Sequence, residues 1–144
     1  MKKISESILL LIVLALCLTP VAEAKAVEPT RASDYLDFYS AYVYAEGGGL
    51  VSVWFDVTAT GTMDEVGAIT ILLQESSNNS TWSTVKTFLY TDYPNMMKYN
   101  RIDCVSGVYY SGIAGRYYRA YVTVWAGKGG NGDSRQILTT SIRA

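Results

Sequence analysis

The sequence predicts an all-β domain, an antiparallel β-sandwich of about seven to eight strands. Three observations lead there. Val51, Val53, Phe55 and Val57 alternate with Ser52, Trp54, Asp56 and Thr58, the period of a sheet with one dry face. Runs rich in Tyr, Val, Ile, Thr and Trp recur about every 10 to 15 residues, with Gly, Asn, Asp and Ser clustered between them. Beyond the N-terminal apolar run, no sustained 3.6-residue period is present, so the helical crossovers that parallel strands require are not expected.

The chain begins with a different kind of segment. Lys2 and Lys3 precede an uncharged run from Ile8 to Leu18, Pro20 breaks it, and Ala22-Glu23-Ala24 supplies small residues around a cleavage point. As a helix this run spans about 16 Å, roughly half a bilayer core, too short for an anchor. Residues 1–24 read as a secretory signal cut after Ala24, with a secreted, extracellular destination and no membrane attachment after cleavage. Cys17 as a lipid acceptor is the weaker alternative, because Leu16 is bulky where that processing wants a small residue. Residues 25–33, with Pro29 and little apolar surface, read as a flexible N-terminal arm, and residues 34–144 as the sandwich domain.

Within the domain the first strand covers Tyr35–Tyr44 and ends at the Gly47-Gly48-Gly49 turn. The second is the alternating run at 51–58. Gly61 to Gly67 reads as a loop, followed by a strand through Ile69, Ile71 and Leu73. Ser76-Ser77-Asn78-Asn79-Ser80 is a turn. The chain resumes as a strand from Thr81 to about Tyr90, loops over 91–97, and forms two short strands, Lys98–Val105 and Val108–Ser111. Tyr118, Ala120, Val122 and Val124 then face inward against Tyr117, Arg119, Tyr121, Thr123 and Trp125. A glycine-rich tip at Gly127–Asp133 leads to a last strand from about Arg135 to Ile142.

Two resemblances add to this. Ala114-Gly115-Arg116-Tyr117-Tyr118-Arg119-Ala120-Tyr121-Val122-Thr123-Val124 resembles the sixth strand of immunoglobulin-like and fibronectin type III domains. The resemblance implies an immunoglobulin-like sandwich in which the Tyr118 hydroxyl bonds back to the backbone of the preceding turn. The paired cysteines and core tryptophan of antibody domains have no counterpart. The mature chain also resembles a family of small secreted proteins of Gram-positive bacteria, through Arg31-Ala32-Ser33-Asp34-Tyr35, Val51-Ser52-Val53-Trp54-Phe55, Gly61-Thr62-Met63-Asp64-Glu65-Val66-Gly67-Ala68 and Gly115-Arg116-Tyr117-Tyr118-Arg119-Ala120. That likeness implies a bacterial extracellular setting and supplies no chemistry.

Composition excludes more than it assigns. The net charge is −1, so no basic face for nucleic acid is forced. The sequence has no histidine, which removes the Ser–His–Asp triad, Cys–His chemistry and imidazole metal sites. Gly127-Lys128-Gly129-Gly130-Asn131-Gly132 fits G-x-G-x-x-G, but a strand follows where a dinucleotide site needs a helix; a hairpin tip is the favoured reading. Asp64, Glu65, Asp56 and Asp92 could gather around calcium or pair as acid and base, yet their spacing matches neither pattern, and solvated loop charges are favoured. Cys104 lacks a base and reads as a small buried hydrophobe. The overlapping sequons in Asn78-Asn79-Ser80-Thr81 mark a surface turn.

The aromatics are the functional lead. There are 12 tyrosines and 3 tryptophans, more than a core of this size needs. Arg119, Tyr121 and Trp125 share the outer face of one strand, and aromatic faces with a nearby guanidinium suit sugar rings or protein anchors. Strand propensity alone is the bland alternative. The expectation is a non-enzymatic module with no catalytic residue, metal or cofactor, binding an extracellular glycan or protein through Arg119, Tyr121 and Trp125. A protein that assembles with itself by strand-edge pairing is the alternative.

Overall fold

From Leu36 onward the alternation of apolar and polar residues becomes strand pairing. The computed structural model describes residues 33–144. The strands are β1 (Leu36–Gly47), β2 (Leu50–Ser76), β3 (Ser83–Leu89), β4 (Met97–Ser111), β5 (Tyr117–Lys128), β6 (Asn131–Leu138) and β7 (Ile142–Arg143). A single 3-10 turn, Pro94–Met96, precedes β4. Every pairing is antiparallel, and the seven strands form one sheet curled into a half-barrel. No helix among the described residues is long and apolar enough to cross a membrane. The leader, its cut after Ala24, and the arm up to residue 32 lie outside the described residues.

β2 organises the sheet. Its 27 residues lie between β1 and β4 in the first half, and between β5 and β3 in the second. At Glu65–Gly67, β4 and β5 flank it on opposite sides. Register shifts fall between Thr58 and Met63 against β4, and between Ala68 and Thr70 against β5. Such irregularities bend a strand and increase its twist. The Gly61–Gly67 segment expected as a loop is therefore the bend of one continuous strand. Met63 and Val66 are buried within it, which holds the backbone in the sheet through the bend.

The curl brings inward rows from both halves into one core. Val53, Phe55 and Val57 meet Ile71 and Leu73 of the same strand and Val122 and Val124 of β5, all essentially inaccessible. Complete burial contributes about 1.5–3 kcal/mol for each such side chain. Val53, Phe55, Val122 and Val124 face the interior as the alternation expects.

Two further expectations are corrected. The segments 98–105 and 108–111 are one strand, β4, because Gly107 sits directly opposite Trp54 and the indole covers the gap its missing side chain leaves. The last long strand starts at Asn131, earlier than expected. Lys128 and Asn131 pair around Gly129-Gly130, both with positive φ (62° and 81°), as a tight two-residue hairpin turn demands. Ser33, at the end of the expected arm, is buried. Its hydroxyl donates to Asp133 on β6 and accepts the Leu36 N–H at 2.7 Å, fastening the start of β1.

Candidate functional site

The outer face of β5 carries Arg119, Tyr121, Thr123 and Trp125, as the alternation expects, and all four are partly exposed. The structure does not gather the three candidate residues at one point. It divides them between two places on one strand.

Trp125 lies at the hairpin end. A Cβ built on Gly127 would come 2.7 Å from its Cζ2, and one on Gly132 would come 2.5 Å from the same atom. The indole therefore lies across the two glycines, on a floor that any larger residue would lift. It lines an open cleft of about 400 Å³ with Asp64, Glu65, Tyr99, Lys128 and Asn131. Strand register explains the grouping: Glu65 on β2 has Tyr99 of β4 on one side and Gly127 of β5 on the other. The Asp64 carboxylate accepts the Gly129 N–H at 2.7 Å and so holds the hairpin tip over the cleft. Trp125 Nε1 is shielded and has no hydrogen-bond partner among the described residues.

Arg119 lies at the other end of the strand. Its Nε donates to Gln74 Oε1 at 2.9 Å, and its guanidinium carbon stands 4.3 Å from the centroid of Trp82 and 5.7 Å from that of Tyr121. Cation–π contacts of this kind contribute about 0.5–2 kcal/mol and hold the guanidinium in a fixed plane.

A second aromatic surface lies on the outer face of β1, β2 and β4. In register it places Tyr42 beside Trp54, and Tyr44 beside Ser52 and Tyr109. Trp54 meets Tyr109 edge to face at 6.4 Å between centroids, and all four rings are exposed. Ser52 is buried beneath them and donates to Glu46.

The remaining candidates are placed as follows. Asp64 and Glu65 line the Trp125 cleft, Asp56 lies on the outer face of the first half of β2, and Asp92 lies in the loop after β3. Among the described residues no group of three or more His, Cys, Asp or Glu side chains could hold a metal ion. The G-x-G-x-x-G run is the β5–β6 hairpin. Asn78 Oδ1 accepts the N–H groups of Ser80 and Thr81, which closes the expected turn. Cys104 is buried, and burial above all pushes its thiol pKa up to about 11, leaving it protonated at neutral pH. Tyr118 accepts the Ile113 N–H at 2.8 Å, so its hydroxyl does bond to the turn backbone, and it donates to Glu75.

Sequence reasoning missed Tyr99, Trp82 and the company that Asp64 and Glu65 keep. Tyr99 is 26 positions from Trp125 in the chain and reaches it only because β4 and β5 flank the same three residues of β2. Trp82 stands just ahead of β3, which starts at Ser83 and not at Thr81 as expected, so strand alternation does not assign its side. No family model, curated protein or solved structure matches the chain.

Proposed function

We propose that the protein is a secreted, non-enzymatic β module of a bacterial extracellular family, and that it binds an extracellular glycan in the Trp125 cleft. One observation carries this reading. The indole lies across two glycines in an open cleft, with Tyr99 at its side and carboxylate, ammonium and amide groups at its rim. A sugar ring presents apolar C–H faces and a belt of hydroxyls. It needs a flat aromatic surface with polar side chains around it, in a concave setting that keeps water off the stacked face. The leader over residues 1–24 would deliver the protein to where such glycans are.

The β module is a sandwich in this reading. The two halves of the curled sheet pack across one core, and the Tyr118 hydroxyl at the turn supports an immunoglobulin-like corner. The single strand β2 shared by both halves counts against an immunoglobulin strand order.

Titration against a glycan array tests the function. Trp125→Ala should abolish binding to any glycan the native protein retains, while Trp54→Ala should not. Unchanged binding in Trp125→Ala removes the cleft from consideration.

A second reading has one observation in its favour. The exposed Tyr42, Tyr44, Trp54 and Tyr109 face, with exposed Val105 on β4, is an apolar surface of the kind that pairs with another copy. Light scattering that shows a concentration-dependent oligomer, dispersed by Tyr44→Asp with Tyr109→Asp, would favour self-assembly.

A further inference from the structure

The cleft is one end of a longer track. Outward positions of β5 run from Gly127 through Trp125, Thr123 and Tyr121 to Arg119. Trp125 and Tyr121 are four residues apart, about 13 Å along a strand. One pyranose ring cannot touch both, and a short oligosaccharide can. Between them, Thr123 has Thr70 in register on β2 and Gln136 on β6, so the middle of the track offers hydroxyl and amide groups.

The far end is built for an anion. Gln74 takes the Arg119 Nε–H and Trp82 covers one guanidinium face, which fixes its plane. Among the described residues no carboxylate pairs with Arg119. Its terminal N–H pairs are left for a bidentate oxyanion, the geometry in which guanidinium binds carboxylate or sulfate. The cleft end has the opposite character, with Asp64 and Glu65 against Lys128. Eight residues separate Gly127 from Arg119, about 26 Å, against a screening length of about 8 Å at physiological salt. The two ends therefore select ligand charge independently.

We infer that the ligand is an extended oligosaccharide lying along β5, with an uncharged ring stacked on Trp125 and a carboxylate or sulfate held by Arg119. This rests on the glycan reading of the cleft. It excludes single sugars as full ligands, and it excludes chains with an anion on every unit, which the cleft carboxylates would repel.

Hyaluronan oligosaccharides, in which acidic and N-acetylated units alternate, serve as the probe, with neutral chito-oligosaccharides of equal length beside them. Binding is followed by NMR titration of the tryptophan indole N–H signals. The hexasaccharide should bind roughly tenfold or more tightly than the disaccharide, and more tightly than chitohexaose. Arg119→Gln and, separately, Trp82→Ala should bring the hexasaccharide down to the affinity of the disaccharide and leave the disaccharide unchanged. Circular dichroism and native-like indole shifts would verify that both variants fold. Equal affinity for all lengths, equal affinity for the neutral chain, or no effect of both variants overturns the track while the cleft stands. Disaccharide binding that survives Trp125→Ala, or no binding of any probe, overturns the cleft and the track together.

Discussion

Two tryptophans in this molecule use the same local device and end in different surroundings. Trp54 covers Gly107 directly across the strand pair, and Trp125 covers Gly127 and Gly132. In each case the indole occupies the space above a glycine backbone, which fixes the ring and relieves the weakness that glycine brings to a strand. Trp54 then stands on an open face among Tyr42 and Tyr109. Trp125 sits in a cleft whose walls come from the bend of β2, the start of β4 and the β5–β6 hairpin. The local pair sets the ring's orientation. Topology decides whether that ring becomes a floor or part of a flat patch.

The largest effect should strike both places at once. Phe55 is fully buried beneath them in the shared core. Phe55→Ala should cost about 3–5 kcal/mol. With Trp82→Phe added to Trp54→Phe and, separately, to Trp125→Phe, the one remaining tryptophan's fluorescence should report the same lowered melting temperature. Two separate transitions would mean that the halves are independent, and that the cleft and the flat face do not share a core.

Next is Tyr118, which ties the turn after β4 to the second half of β2 through Ile113 and Glu75. Tyr118→Phe removes both hydrogen bonds and should cost about 1–3 kcal/mol in chemical denaturation. Burial first, and the Glu75 carboxylate second, push the Tyr118 pKa up to about 12. The unfolded chain ionises this tyrosine near pH 10, about two units earlier. Its contribution is therefore complete below about pH 10 and is lost as pH rises toward 12. Tyr118→Phe should remove that alkaline slope.

The glycine floors separate the two tryptophans most directly. Gly127→Ala and Gly107→Ala each drive a methyl into an indole, at 2.7 Å in both cases before any relaxation. Each should cost about 1–3 kcal/mol. Glycan binding should fall in Gly127→Ala, toward the loss seen in Trp125→Ala, and stay unchanged in Gly107→Ala. Equal loss in both would mean that binding follows stability and not the cleft.

The sequence shows the strands and their inner faces because alternation is a local signal. The Val51–Val57 row and the Tyr118–Val124 row are legible without any knowledge of pairing. The bend of β2 is not legible, because an acidic run between glycines has the composition of a loop; burial of Met63 and Val66 and pairing with β4 and β5 keep it in the sheet. The site was half visible. Trp125 announces itself by parity, whereas Tyr99, Asp64 and Glu65 join it through a register that two distant strands set against β2. The tie between Ser33 and Asp133 spans 100 positions and is invisible for the same reason.

That tie gives the smallest and most local test. Asp133 lies on β6 beside Ser134, the register partner of Trp125, and it binds the Ser33 hydroxyl and the Asp34 N–H. The Ser33 hydroxyl first, and the backbone N–H groups of Asp34 and Tyr35 with it, hold its carboxyl below the ordinary range. The native state thus favours the ionised form more than the unfolded chain does. Its contribution is present above the ordinary carboxylate pKa, near 3.9, and is lost as pH falls through the lower native value. Acid should loosen the Trp125 side before the Trp54 side. As pH falls below that native value, amide protection factors, corrected for the intrinsic pH dependence of exchange, should drop at residues 34–36 and 131–135 while residues 52–54 stay protected. Asp133→Asn should show the lowered protection at the first two segments already at neutral pH, with no further drop on acidification. If residues 52–54 open together with them, acid acts on the whole sheet, and the clip does not set the cleft side apart.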